Sequence, residues 1–87
     1  MRSNVDLLIS QDEALVLFDL LARFTETGKL TLAHNSEFVA LSRISAQLDK
    51  TLVELLAANY DSLLTQARNR VAAGFEGLAP GVIGGGA

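Results

Sequence analysis

The chain has no cysteine and no tryptophan, and only one proline, one histidine and one tyrosine among its 87 residues. Without cysteine there are no disulfides, no thiolate metal ligands and no thiol nucleophile, and nothing points to an oxidising compartment. With one histidine, His34, any Ser–His–Asp arrangement would have to be built on that residue, and no G-x-S-x-G turn is present. His34 and Glu37 have an H-x-x-E spacing that supplies half of a metal site. A metal needs three or four ligands, and no others cluster nearby, so His34 is expected to serve as a loop or capping residue. The glycines concentrate at the C-terminal end and precede no helix, so they form no phosphate-cradling loop. These absences lead to the expectation of a non-enzyme without metal or cofactor.

Long apolar runs are also missing. The longest uninterrupted one, Ala14 to Phe18, has five residues. A secretory hydrophobic region needs about 7–15 and a membrane span roughly 18. The expectation is a cytoplasmic protein without membrane contact. The hydrophobic fraction of 49% against 20% charged residues indicates a folded chain. At this size a domain buries only about 60% of its unfolded surface, so association with a second copy is an available route to more core.

What the sequence does contain begins with SQDEALVLF, residues 10–18. Ser10 and Glu13 have the S-x-x-E spacing of a capping box, and Asp12 and Glu13 suit the positive end of a helix. Adjacent helical residues point about 100° apart, so the two carboxylates do not form a facing acid–base pair. The spacing predicts a helix over about 11–27. Ala14, Leu17, Phe18, Leu21 and Phe24 form its stripe, widened by Leu15, Val16 and Leu20. A helix this apolar is expected to pack on two sides. Asp19 and Arg23 can pair at i, i+4, and Gly28 suits a left-handed terminal position.

Before this helix, Val5, Leu7 and Ile9 alternate with Asp6, Leu8 and Ser10, which predicts a short strand; residues 29–34 offer a second. A second helix is expected over about 36–58, capped by Asn35 or Ser36. Phe38, Leu41, Ile44, Leu48, Leu52, Leu55 and Leu56 line it, and Arg43, Gln47, Lys50 and Glu54 face water. Its apolar stripe, about 34 Å long, exceeds what the flanking helices can cover. This nominates Leu41, Leu48, Leu52 and Leu55 as an oligomer interface. Asp61 is expected to cap a third helix over about 62–73, with Leu64, Ala67 and Val71 inward. Gly74 then ends it, with Phe75 making the closing hydrophobic contact. Five glycines and a proline in the last eleven residues predict a flexible tail over 77–87 after a single domain over 1–76. The expected fold is mainly α: three helices with a short N-terminal β-strand, as a homodimer.

Net charge is −3, and the acids crowd the first third. That favours a basic partner over nucleic acid. The strand-helix-helix order is also that of ribbon-helix-helix DNA-binding proteins, but here the outward strand residues would be Asp6, Leu8 and Ser10, which repel phosphate. Arg68-Asn69-Arg70 is the one basic cluster and lacks interleaved aromatics.

The string Leu7 to Phe18, with Leu21, Arg23 and Phe24, resembles the opening of small bacterial proteins that read L-x-[ST]-x-D-E-A-L-V-L-F. Leu52-Val53-Glu54, Asn59-Tyr60 and Ala67-Arg68 are similar to their second half, so the resemblance covers most of residues 5–72. Those chains often read Pro-Phe where this one has Leu55-Leu56, which implies a softer break between its second and third helices. The resemblance implies no activity, cofactor or partner.

The reading that follows is a small acidic protein-binding module, of the immunity or antitoxin kind, that neutralises a basic protein. Asp12, Glu13, Asp19 and Glu26 are its candidate contacts, and Tyr60 is a candidate anchor, although a tyrosine so placed more often plugs a helix junction. The alternatives are a structural homo-oligomer held by the central helix, and a dimer enclosing a small apolar ligand.

Overall fold

The computed structural model describes residues 3–52 and 58–82. It is mainly helical: α1 (Gln11–Thr27), α2 (Asn35–Thr51) and α3 (Tyr60–Ala72). Helix α1 starts and stops where local chemistry dictates. The Ser10 hydroxyl accepts the Glu13 N–H at 3.0 Å, and the Glu13 carboxylate accepts the Ser10 N–H at 2.7 Å. Gly28 then terminates the helix in the left-handed region, at φ 67°, and donates its N–H to the Phe24 carbonyl. That φ is open to glycine without the steric penalty a Cβ would bring.

Helix α1 packs on both its neighbours. Ala14 and Leu15 join Leu64 and Ala67 of α3 and Leu52 in one buried cluster, with Val16, Phe18, Leu48, Tyr60 and Leu63 around it. On the other side, Phe24 meets Phe38 of α2 edge to face, with ring centres 6.2 Å apart. Beside them Leu21 and Leu41 close the seam to a crevice of about 10 Å³. The two-sided packing follows from the width of the apolar stripe. Both neighbours run antiparallel to α1. The end of α1 meets the start of α2, and Asp12 near the start of α1 meets Arg70 near the end of α3.

Several expectations need correction. Neither Val5–Ser10 nor residues 29–34 forms a strand, and no strand occurs among the described residues. Period-two alternation stabilises a strand only when a ladder partner is present. Here Val5 and Leu7 are 83% and 79% exposed, and no strand lies alongside them among the described residues. Residues 28–34 are occupied with turns, including the Leu30 N–H to Gly28 carbonyl bond.

The second helix is shorter than its periodicity predicts, ending at Thr51. Leu52 leaves helical geometry at φ −85°, ψ 113°, and its side chain is buried in the α1–α3 cluster. Burial of one leucine is worth about 1.5–3 kcal/mol, and no helix-breaking residue marks this exit in the sequence. Thr51, whose hydroxyl donates to the Gln47 carbonyl, is β-branched and holds the helix weakly. Leu55, Leu56 and Glu54 lie outside the described residues.

The cap of α2 is His34 rather than Asn35 or Ser36: its Nδ1 accepts the Ser36 N–H at 3.0 Å. Glu37 reaches back to the Ala33 N–H at 2.7 Å. The H-x-x-E spacing is thus a helix start, and no metal-holding cluster occurs among the described residues.

Helix α3 begins before Asp61, because Tyr60 is drawn onto α1. Its N-cap, Asn59, makes no side-chain cap bond. At its other end Ala73 is the cap and Gly74 follows at φ 86°. Phe75 is exposed rather than folded over the helix end, and Val71 is exposed rather than inward.

Ala67 has no exposed surface and sits where α1 and α3 approach. Ala67→Leu is expected to force these helices apart and destabilise the protein by about 1–3 kcal/mol, read as a lower thermal midpoint in circular dichroism. An unchanged midpoint would mean the α1–α3 contact is looser than described.

Candidate partner-binding surface

Most of the nominated acids are already engaged within the chain. Asp12 and Asp19 are seven residues apart, so they fall within about 20° of each other on α1, on the flank facing α3. Asp12 forms a two-pronged pair with Arg70. Arg70 Nε lies 2.7 Å from one carboxylate oxygen and Nη2 lies 2.9 Å from the other. The Arg70 hydrogen bonds hold the Asp12 carboxyl below its ordinary range, and the same contact pushes the Arg70 guanidinium up.

Asp19 has three partners. Arg23 Nε and Arg68 Nη2 each lie 2.8 Å from Oδ2, and the Tyr60 hydroxyl donates to Oδ1 at 3.3 Å. Burial first, then the Asp19 charge, raises the Tyr60 phenol above its usual value. Tyr60 is therefore half-buried at the head of α3, packed against the core cluster and bonded to α1. Glu13 is occupied by the capping box. Of the nominated acids, Glu26 alone is exposed and makes neither an ion pair nor a capping bond among the described residues.

Thus Asp12 and Asp19 serve as inter-helix ties. Arg68 and Arg70, the one basic cluster in the sequence, are the cations drawn into these ties. Their actual partners are 49 and 58 residues away. The heptad spacing of Asp12 and Asp19 beside Leu15 was the available signal. The basic pair that it meets follows Ala67 on α3.

The nominated interface also divides. Leu52 is buried, Leu48 leans on the same cluster, Leu41 is half-buried against α1, and Leu55 lies outside the described residues. What α2 leaves in water is Phe38, Val39 and Ile44; no residue of α2 is buried. The N-terminal segment adds Val5, Leu7, Leu8 and Ile9.

A further apolar hollow of about 250 Å³ opens where Val71 and Phe75 meet Leu78 and Val82. Residues 77–82 therefore curl against the end of α3, with turns at Gly77 and Gly81. The hollow lacks the polar side chains that orient a small ligand.

No protein-family model matches the chain, and neither a curated protein nor a solved structure is significantly similar to it. No helix among the described residues is long and apolar enough to cross a membrane.

The lowered Asp12 pKa fixes a sign. A carboxyl depressed in the folded state adds stability above its unfolded pKa and loses that contribution as pH falls through the folded value. Asp12→Asn is expected to lower the thermal midpoint at neutral pH. Its midpoint curve should meet that of the parent below about pH 4, where unfolded aspartates protonate. Parallel curves across the whole acid range would remove Asp12 as the group responsible.

Proposed function

We propose that this chain is a small protein-binding module that works as a homodimer, associating through apolar surface rather than through the acids of α1. The observation that carries the reading is the exposed apolar set: Phe38, Val39 and Ile44 on α2, and Val5, Leu7, Leu8 and Ile9 ahead of α1. Its scale supports a second copy. The chain exposes 7254 Å², whereas a compact monomer of this mass exposes roughly 5,000 Å². The difference exceeds the roughly 800 Å² that each partner contributes to a standard interface. The radius of gyration, 14.2 Å, likewise exceeds the roughly 12 Å of a compact domain this size.

The oligomer edge on α2 is then Val39 and Ile44, since Leu48 and Leu52 are needed by the chain's own core and Phe38 packs on Phe24. The similarity to small bacterial proteins is part of the same proposal and adds no activity to it.

A second reading, neutralisation of a basic protein in the immunity or antitoxin manner in the cytoplasm, is favoured by the acids that make no ion pair. Asp6, Glu26, Asp49 and Glu76 are exposed and make no ion pair among the described residues, and the net charge is −3. This moves the candidate contacts away from Asp12 and Asp19.

Sedimentation equilibrium tests the dimer. The expected mass is twice 9.3 kDa. The double substitution Val39→Ser, Ile44→Lys is expected to weaken association at least about tenfold, one step of 1.4 kcal/mol, with helix content retained because both side chains are exposed and neither meets α1. A monomer at millimolar concentration would reject the reading.

A further inference from the structure

Residues 3–9 make no hydrogen bond among the described residues. Val5, Leu7 and Leu8 are 83%, 79% and 102% exposed, and Ile9 is 44% exposed. A run of β-favouring and apolar residues with free backbone groups is a template for strand pairing. It lies directly ahead of the Ser10 capping box, which fixes where the extended chain becomes helix. The chain supplies no strand to meet it among the described residues.

We propose that Val5–Ile9 pairs with the same segment of a second copy, as a two-stranded antiparallel ribbon centred on Leu7. This rests on the homodimer reading and specifies where the two copies join. The segment is self-complementary in one register. Centring on Leu7 sets Val5 opposite the second copy's Ile9 and Leu7 opposite its own counterpart, so six apolar side chains share one face. Asp6 then lies opposite Leu8, and the two Asp6 carboxylates are only diagonal neighbours, about 7–8 Å apart.

The neighbouring registers are worse. Centring on Asp6 puts two like charges directly opposite, which is destabilising. Centring on Leu8 draws Ser10 into the ribbon, although its N–H is held by Glu13 at 2.7 Å, and leaves Val5 without an apolar partner. A shift by one residue places the apolar side chains on opposite faces. An isolated two-stranded ribbon is marginal in water, so the apolar face is expected to rest on the helices of the dimer.

The absence of cysteine makes the test direct. Residues opposite one another across antiparallel strands have Cα atoms about 4.5 or 5.5 Å apart, within the span a disulfide bridges. Leu7→Cys and Leu8→Cys are compared in otherwise full-length protein under mild oxidation, each confirmed folded by circular dichroism. Disulfide dimer is expected to accumulate at least about tenfold faster for L7C than for L8C, because only the former pair meets within disulfide range.

Sedimentation of both variants under reducing conditions separates the two levels of the argument. A reduced dimer with equal crosslinking rates, or with L8C faster, overturns the Leu7-centred ribbon and leaves the homodimer standing. A reduced monomer for both variants and for the parent overturns both.

Discussion

Helix α1 carries apolar side chains around too much of its circumference for one neighbour to cover, and the rest of the fold answers to that constraint. Leu15 and Ala14 need α3, while Leu21 and Phe24 need α2. Placing one helix on each side leaves the outer surfaces of those neighbours uncovered. In a larger domain a further layer would cover them. Among the described residues no further layer covers them, and α2 keeps no residue buried. The exposed apolar surface is thus the outcome of satisfying α1 first.

Electrostatics follows the same arrangement. The acids at the start of α1 are commonly read as favourable partners of the helix dipole, and Asp12 occupies that position. Its partner Arg70 stands in the last turn of an antiparallel helix, where a cation opposes the negative end of that helix's dipole. One ion pair therefore suits two helix ends at once. Asp19, with Tyr60, Arg23 and Arg68 converging on it, sets the rotational position of α3 on α1. Exposed pairs of this kind add little to stability, so their main effect here is on register.

The features legible in the sequence were those governed by neighbours within four residues. Ser10 and Glu13 mark the start of α1, Gly28 marks its end, and Asp19–Arg23 is a single-turn pair; each stands as its spacing indicates. What spacing does not carry is the tertiary pull on an element's end. Lys50-Thr51-Leu52 contains no glycine or proline, yet α2 stops there because Leu52 turns into a core formed by residues far away in sequence. Tyr60 starts α3 early for the same kind of reason. The alternation at Val5–Ile9 was legible as a strand pattern, but a strand is a property of two segments, and the second one is not within the described chain. The candidate site suffered most: Asp12 and Asp19 read as surface acids until α3 was placed beside them.

The connection lengths bear on how such a chain reaches its native state. Seven residues separate α1 from α2, and 32 separate α1 from α3. Closing a loop has an entropic cost that grows as the logarithm of its length, so the longer closure is less favourable by about 1.3 kcal/mol. The near pairing is the easier to form, yet α2 alone brings α1 no buried side chain of its own; the distant pairing is harder to form and creates most of the core. Neither step is self-sufficient. The near pairing thus draws its stability from the distant one, which supplies most of the buried side chains.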